Sequence, residues 1–339
     1  MNRRALLAAG ASMLAVVPHV VHAQEKLRIS LETNPNHVRN RNTERFVEEL
    51  RKRSGGRIEA EIFPSAQLYR DRDSPRAVRQ GSVEMAIPGT WNLDGITPDA
   101  AITSLPMFYG VAPEIVHKLV DGKLGAELAK RFEERLRVKV LGRWFDLGFT
   151  HLYGANRSIA SYEDIGGLKI RHPGGTANAE RLRLLGANPV LIPWPDVPLA
   201  MNQGVMDGLI TTHESSFTAK LWDAGMTSCF EDRQYFSQYV PMVSLTFWRK
   251  LSPELQAAMT EAWTAVVDNE RREAAEAQAK ARGVLMENGV KITEPQPAAL
   301  EQARAKLMAA QDAIVGEMKI DHALVKIALE ELRAAGLRV

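Results

Sequence analysis

Apolar and polar positions follow two periods along this chain, one near two residues and one near three and a half, and the two take turns. "KLRISLE" and "RIEAEIFP" set apolar side chains at every second place, which predicts half-buried strands. Between them, "NRNTERFVEELRKRSGG" gathers Phe46, Val47 and Leu50 on one helical face and ends on Gly55-Gly56. "SPRAVRQG" predicts a short helix capped by Ser74 with Pro75 at its first position, and "VEMAIPG" a further strand. This β-α-β order predicts a mostly parallel sheet covered by helices.

A second stretch repeats that order. "AVRQGSVEMAI" (77–87) aligns without gaps on "AMNQGVMDGLI" (200–210), with Ala, Gln, Gly, an acid and Ile at the same spacing. Upstream of each lies a glycine-bounded apolar strand running into proline, "GGRIEAEIFP" and "GANPVLIPWP". Two units built alike predict two similar α/β lobes. In the second unit, "GLKIRHPGG" reads as a short strand through Leu168 and Ile170, with Arg171 at its end and a Pro-Gly-Gly turn beyond. A guanidinium in that place is either a solvated edge charge or an anion clamp.

The last third is helical. Ser252, Pro253 and Glu254 supply a cap, a first-turn proline and an acid suited to the helix dipole. Leu255, Met259, Ala262, Trp263, Val266 and Val267 form one stripe, and the pattern runs on to Gly289. That is roughly 35 residues, or about 50 Å, longer than one lobe needs and enough to span two. "VKITEP" then predicts a strand, and two further helices close the chain.

Composition changes this picture little. The 339 residues are 45% hydrophobic and 25% charged, ordinary globular proportions, and the length suggests two domains or one elaborated one. The first 23 residues stand apart: Arg3 and Arg4 precede "ALLAAGASMLAVVPHVV", and "VHA" precedes Gln24. A charged start, an apolar run and a small-residue site predict a signal peptide cleaved after Ala23, hence a periplasmic protein. The run is short for a membrane span and is broken by Pro18. The paired arginines leave twin-arginine export open beside the general route. Without the leader's two arginines the chain carries 41 basic and 41 acidic residues, so no basic excess points to nucleic acid. Cys229 is the sole cysteine; it forms no internal disulfide or thiolate cluster and reads as a small buried hydrophobe.

Catalytic motifs are sparse. "HESSF" lacks the second histidine of a zinc-protease helix, and no GxSxG, phosphate-binding GxxxxGK[ST] or strand-linked GxGxxG occurs. "DRD" at 71–73 could ligate a hard cation, but a solvated loop is its ordinary state, and no metal or cofactor is expected. An exported enzyme would rely on His213 with Glu214, and adjacent residues of one loop rarely face one substrate atom together.

Taken in order, "RNTERFVEELRKRSGGRIEAEIFPSAQL", "GSVEMAI", "GLKIRHPGG", "LGANPVLIPW", "AMNQGVMDG" and "FWRKLSPELQ" make the chain resemble the extracytoplasmic solute receptors of TRAP transporters, often named for C4-dicarboxylate binding. The resemblance covers nearly all of the chain beyond the leader. It implies an α/β fold of the two-lobed periplasmic binding protein kind with a long lobe-spanning helix, closing over one ligand. On this reading residues 1–23 are the signal peptide, 24–147 plus 237–276 the first lobe, and 148–236 plus 277–339 the second. It implies delivery of a small organic acid to a membrane permease driven by an ion gradient. The family's arginine at the end of "GLKIR" pairs with the ligand carboxylate, and the matching position is Arg171. Where relatives often carry arginine in "GFRH" and asparagine in "DGQEN", this chain has Thr150 and Thr211. Trp194 matches the aromatic that packs on the ligand, and His213 and Glu214 are candidate replacement contacts. His37, Asp73, Trp91 and Asn92 are the candidates from the first lobe's loops. With one arginine carried over, a monocarboxylate is favoured over a dicarboxylate. The alternatives are an exported enzyme or a protein presenting its ligand to a sensor kinase.

Overall fold

The structure is a computed structural model that describes residues 24–337 and 339; the predicted leader and its cleavage site lie outside the described residues. The chain builds one lobe, crosses to a second, and crosses back. The first lobe opens with β1 (Glu25–Ser30), β2 (Ile58–Phe63), the two-residue β3 (Met85–Ala86) and β4 (Val138–Val140). Then β5 (Phe145–Phe149) leads across. The second lobe contains β6 (His151–Ala155), β7 (Lys169–His172), β8 (Asn188–Leu191), β9 (Gly208–Thr211) and β10 (Met226–Phe230). The return is β11 (Phe236–Tyr239), antiparallel to β5, after which β12 (Met242–Ser244) rejoins the first sheet. Finally β13 (Lys291–Thr293) pairs with β10 in the second.

The sheet orders are β2-β1-β3-β12-β4 and β13-β10-β6-β9-β7-β8. Within them the predicted repeat is visible. In one lobe β1 lies between two parallel partners, β2 and β3; in the other β7 lies between β8 and β9, also parallel. Helices Val38–Arg53 and Ser74–Gln80 join the first three strands, and Thr176–Leu184 and Val197–Asn202 the second three. Strands β3 and β9 begin at Met85 and Gly208, the positions that the sequence repeat aligns.

The long helix covers Pro253–Glu287, 35 residues, and the Ser252 hydroxyl accepts the Leu255 N–H as the cap was expected to. Its stripe changes lobes along its length. Leu255 to Val267 pack with Leu27, Ile29 and Phe46 of the first lobe, whereas Leu285 joins Tyr153, Leu209 and Cys229 in the second. Trp263 is fully buried, stacks on Phe145 at 4.0 Å between ring centres, and donates its indole N–H to the Arg143 carbonyl.

Three local readings need correction. Ser74 is the first residue of its helix instead of the cap, its hydroxyl bonding back to the Asp71 carbonyl. Beyond β13 come three helices instead of two, Pro297–Ala309, Gln311–Met318 and His322–Ala334. The last of them leaves the second lobe, where the division at 277 expects it: Leu324, Val325 and Leu332 join the core of Leu119, Leu128 and Phe132 in the first lobe, whereas helix Gln311–Met318 bridges, lying against helix Thr176–Leu184 of the second lobe and bonding through Gln311 to the Met107 N–H of the first. Among the described residues, no helix is long and apolar enough to cross a membrane.

Candidate functional site

The C-terminal ends of β1 and β7 face each other across a cleft, the place where open α/β sheets hold ligands. From the first lobe come Glu32, Thr33, Asp71 and Trp91. From the second come Arg171, Pro173, Trp194, Ile210, Thr211 and Ser215. The crossing segments form the floor with Leu147, Thr150, Tyr235, Ser237 and Tyr239. The enclosed space is only about 30 Å³, so a ligand of more than a few heavy atoms enters with outward movement of the lobes.

Arg171 is the penultimate residue of β7 and is 1% exposed. Its Nε donates to the Ile192 carbonyl at 2.8 Å and Nη1 to the Ile210 carbonyl at 3.4 Å. Nη2 is buried and has no partner among the described residues. Two carbonyls therefore fix the fork while one edge stays uncommitted. Burial pulls the guanidinium pKa down to about 10, against the opposing influence of Asp71 and Tyr235. The Trp194 ring centre lies 5.7 Å from the guanidinium carbon. The turn that follows uses Gly174 at φ 140°, where a Cβ would stand 3.0 Å from Asn92 Oδ1 of the opposite lobe.

Facing Arg171 is Asp71. Its Oδ2 accepts the Trp194 backbone N–H at 3.1 Å, and its Oδ1 is buried without a partner among the described residues. Burial, reinforced by nearby Glu32, raises its pKa to about 6. Glu32 is engaged by the buried Arg39 guanidinium at 2.8 Å, which itself lies over the Tyr239 ring.

Of the expected site residues, the structure brings Arg171, Trp194, Thr211, Thr150 and Trp91 to the cleft. The other five stand elsewhere. Asp73 is exposed just before helix Ser74–Gln80, and Asp71, two residues earlier, is the one turned inward. Asn92 packs against Gly174 at the lobe boundary. His37 is fully buried as the cap of helix Val38–Arg53, its Nδ1 accepting the Arg39 N–H. Glu214 crosses from the second lobe to that same helix end, its Oε1 accepting the Val38 N–H at 2.6 Å, so it acts as a latch between lobes. Burial raises the Glu214 pKa to about 7, partly opposed by that N–H and by Arg41 and Arg39.

His213 points into a second cavity of about 430 Å³, on the other face of the crossing strands. Strand alternation explains the division: Leu147 faces the cleft, Asp146 and Gly148 the second cavity. There the ligand atoms of His151, His213 and Glu231 lie within 4.8 Å of one another, a spacing that could gather a cation. Their hydrogen bonds argue otherwise. The Arg233 N–H donates to His151 Nδ1, which leaves the proton of the neutral ring on Nε2. Glu231 is held by Arg282 at 2.7 and 3.0 Å and by His213 at 2.7 Å. Burial works against its ionisation, but His213 and Arg282 outweigh it and hold the carboxyl at about 2.

Sequence reasoning missed Glu32, Asp71, Tyr235, Ser237 and Tyr239. Glu32 lies in the "ETNPN" loop already expected to face the cleft, and the other signal was the alternation in "YFSQY" on the return crossing.

Two α/β lobes joined by crossing strands, with an uncommitted guanidinium buried between them, define a solute-binding protein. Residues 29–317 match the model of the bacterial extracellular solute-binding proteins, family 7 (DctP), and the chain belongs to that family. It is 24% identical over 270 residues to the 2,3-diketo-L-gulonate-binding periplasmic protein YiaO of Escherichia coli K12, covering 80% of this chain and 81% of that one. It is 25% identical over 303 residues to the C4-dicarboxylate-binding periplasmic protein DctP of Rhodobacter capsulatus, covering 88% and 90%. Among solved structures it superposes on the sugar acid binding protein DctPAm of Advenella mimigardefordensis, in complex with galactonate, with a TM-score of 0.87 at 20% identity, covering 92% and 99%. The expected TRAP receptor family and two-lobed fold are thus borne out, and with them a role in organic acid transport. The family and its structural neighbours are extracytoplasmic receptors, not enzymes.

Proposed function

We propose that this chain is the periplasmic solute-binding subunit of a TRAP transporter. It binds a small organic acid through the carboxylate at Arg171 and delivers it to membrane permease subunits. The observation that carries this reading is the buried Arg171 fork, held by two carbonyls, with Nη2 uncommitted at the cleft. An incoming carboxylate supplies the missing acceptor and the countercharge together. Thr150, Thr211 and Trp194 line the same space and are the proposed accessory contacts.

A monocarboxylate is the favoured class. Asp71 and Glu32 stand on the opposite wall, where a second carboxylate would meet like charge. The relatives support both possibilities, since one is named for a sugar-derived acid and another for C4-dicarboxylates. The enzyme alternative loses its acid–base pair, because His213 and Glu214 point to different places.

A thermal-shift screen of mono- and dicarboxylates tests the reading. A ligand bound only by the folded chain adds about 2.7 kcal/mol at roughly 100 times Kd. Stabilisation by monocarboxylates is expected; stabilisation by neutral sugars alone would remove the carboxylate clamp.

A further inference from the structure

The cleft's two walls each bury a polar atom that the other does not satisfy. Among the described residues, Arg171 Nη2 on one side is a donor without an acceptor, and Asp71 Oδ1 on the other is an acceptor without a donor. Both residues are at most 2% exposed and line the same small space. No Lys, Arg or His nitrogen lies within 4.0 Å of the Asp71 carboxylate among the described residues. Its neighbour Glu32 differs in this respect, since Arg39 already neutralises it. An unpaired buried carboxylate oxygen beside a ligand pocket is an acceptor waiting for a donor from the ligand.

We infer that the ligand is a monocarboxylate carrying a hydrogen-bond donor, a hydroxyl or an ammonium, beside its carboxylate, and that Asp71 is the residue that reads this donor. The inference rests on the carboxylate reading of Arg171 and sharpens it. A bare acid leaves Asp71 Oδ1 buried and unpaired. A 2-keto acid offers it only another acceptor. A diacid brings a second negative charge to the wall that carries Asp71 and Glu32. Sites built to pair with a ligand donor reject analogues that lack it, because the buried partner is then stranded. Above pH 6 Asp71 is mostly ionised, and an ionised carboxylate is an acceptor only.

Two sets of acids matched in length test this by titration calorimetry: propionate, pyruvate, lactate, alanine and malonate, then hexanoate, gluconate and adipate. In at least one set the donor-bearing acid is expected to bind at least tenfold more tightly than the bare acid, with the diacid weakest. Lactate against alanine separates hydroxyl from ammonium. In Asp71→Ala the advantage of the donor should fall below threefold, while the bare acid binds as before or more tightly because no buried carboxylate is stranded. Asp71→Asn keeps an acceptor for the Trp194 N–H but presents an amide N–H to the ligand. It should shift preference toward pyruvate, and it serves if the alanine variant does not fold. Equal binding of bare and donor acids, a diacid that binds most tightly, or a donor advantage that survives both substitutions overturns the role of Asp71 and leaves the Arg171 clamp standing. If no acid of either length binds the folded wild type, the clamp reading itself falls, and this inference with it.

Discussion

Replacing Arg171 is expected to separate binding from stability, because the same burial that suits it to the proposed clamp makes it a burden in the empty protein. The guanidinium is 1% exposed, contacts two carbonyls and has no carboxylate within 4.0 Å among the described residues. Burial lowers its pKa from 12.5 to about 10. At about 1.4 kcal/mol per unit, that is a cost of order 3 kcal/mol for keeping the charge in the fold. Arg171→Ala removes this cost together with the two hydrogen bonds, so the ligand-free variant should melt within a few degrees of wild type. Binding should respond far more strongly. Truncating one member of a buried charged pair costs about 2–5 kcal/mol, roughly 30- to several-thousand-fold in Kd. Arg171→Lys keeps the charge but not the planar fork and should recover only part of the loss. The assay is titration calorimetry with the acid that most stabilises wild type, alongside melting curves for all three proteins. Near-equal affinities in folded variants would refute the reasoning, since a solvated charge contributes about 1 kcal/mol at most.

Three further expectations follow from side chains outside the cleft. Glu214 has a pKa near 7 in the latched arrangement against an ordinary 4.5, so latching takes up a proton. Its contribution to closure is fully present below about pH 4.5 and is lost as pH rises through 7. The ratio of wild-type to Glu214→Gln ligand affinity should fall from pH 5.5 to 8, a comparison that cancels the titration of Asp71; parallel profiles for the two proteins would discard the latch. His213→Gln should leave affinity within about threefold while lowering the melting temperature through loss of a buried hydrogen bond worth about 1–3 kcal/mol. A tenfold loss of affinity would return His213 to the ligand site. Trp263→Ala opens the core under the long helix and should cost about 3–5 kcal/mol in denaturant unfolding. A loss under 1 kcal/mol would show that the Phe145 stack and the Arg143 hydrogen bond do not anchor that helix.

What the sequence made legible was whatever depends on local period and capping. The long helix ends where its cap and glycine predict, because Ser252 and the stripe from Leu255 act within a few turns. Arg171 was readable because a strand end fixes the side chain at its edge. The sequence does not separate Asp73 from Asp71 because loop residues follow no period, and only the tertiary approach of Trp194 decides which carboxylate turns inward. His213 and Glu214 were read as a pair because they are neighbours in sequence. They open a helix, however, and successive residues there point about 100° apart, one toward the second cavity and one across to Val38. The final helix lies on the first lobe for a related reason: the sequence of an amphipathic helix shows that it has a buried face, not which sheet that face rests on.

The repeat also explains how the cleft acquires its polarity. In each lobe the central strand of three parallel strands carries a fully buried isoleucine in register with the start of the third: Ile29 opposite Met85, and Ile170 opposite Gly208. These isoleucines fix equivalent points in two similar frames, and the residues just beyond them reach the cleft from both sides. In the first frame they lead to Glu32; in the second the next residue is Arg171. Duplicated frames would by themselves give a cleft with two like walls, and a ligand could lie in it either way round. Unlike charges at the ends of equivalent strands remove that ambiguity. Arg39 neutralises Glu32 within the first wall, which leaves Asp71 as its proposed acceptor, while among the described residues no carboxylate lies within 4.0 Å of Arg171. The fold therefore supplies the cleft, and a few substitutions at strand ends and in the adjoining loops decide which end of a ligand faces which lobe.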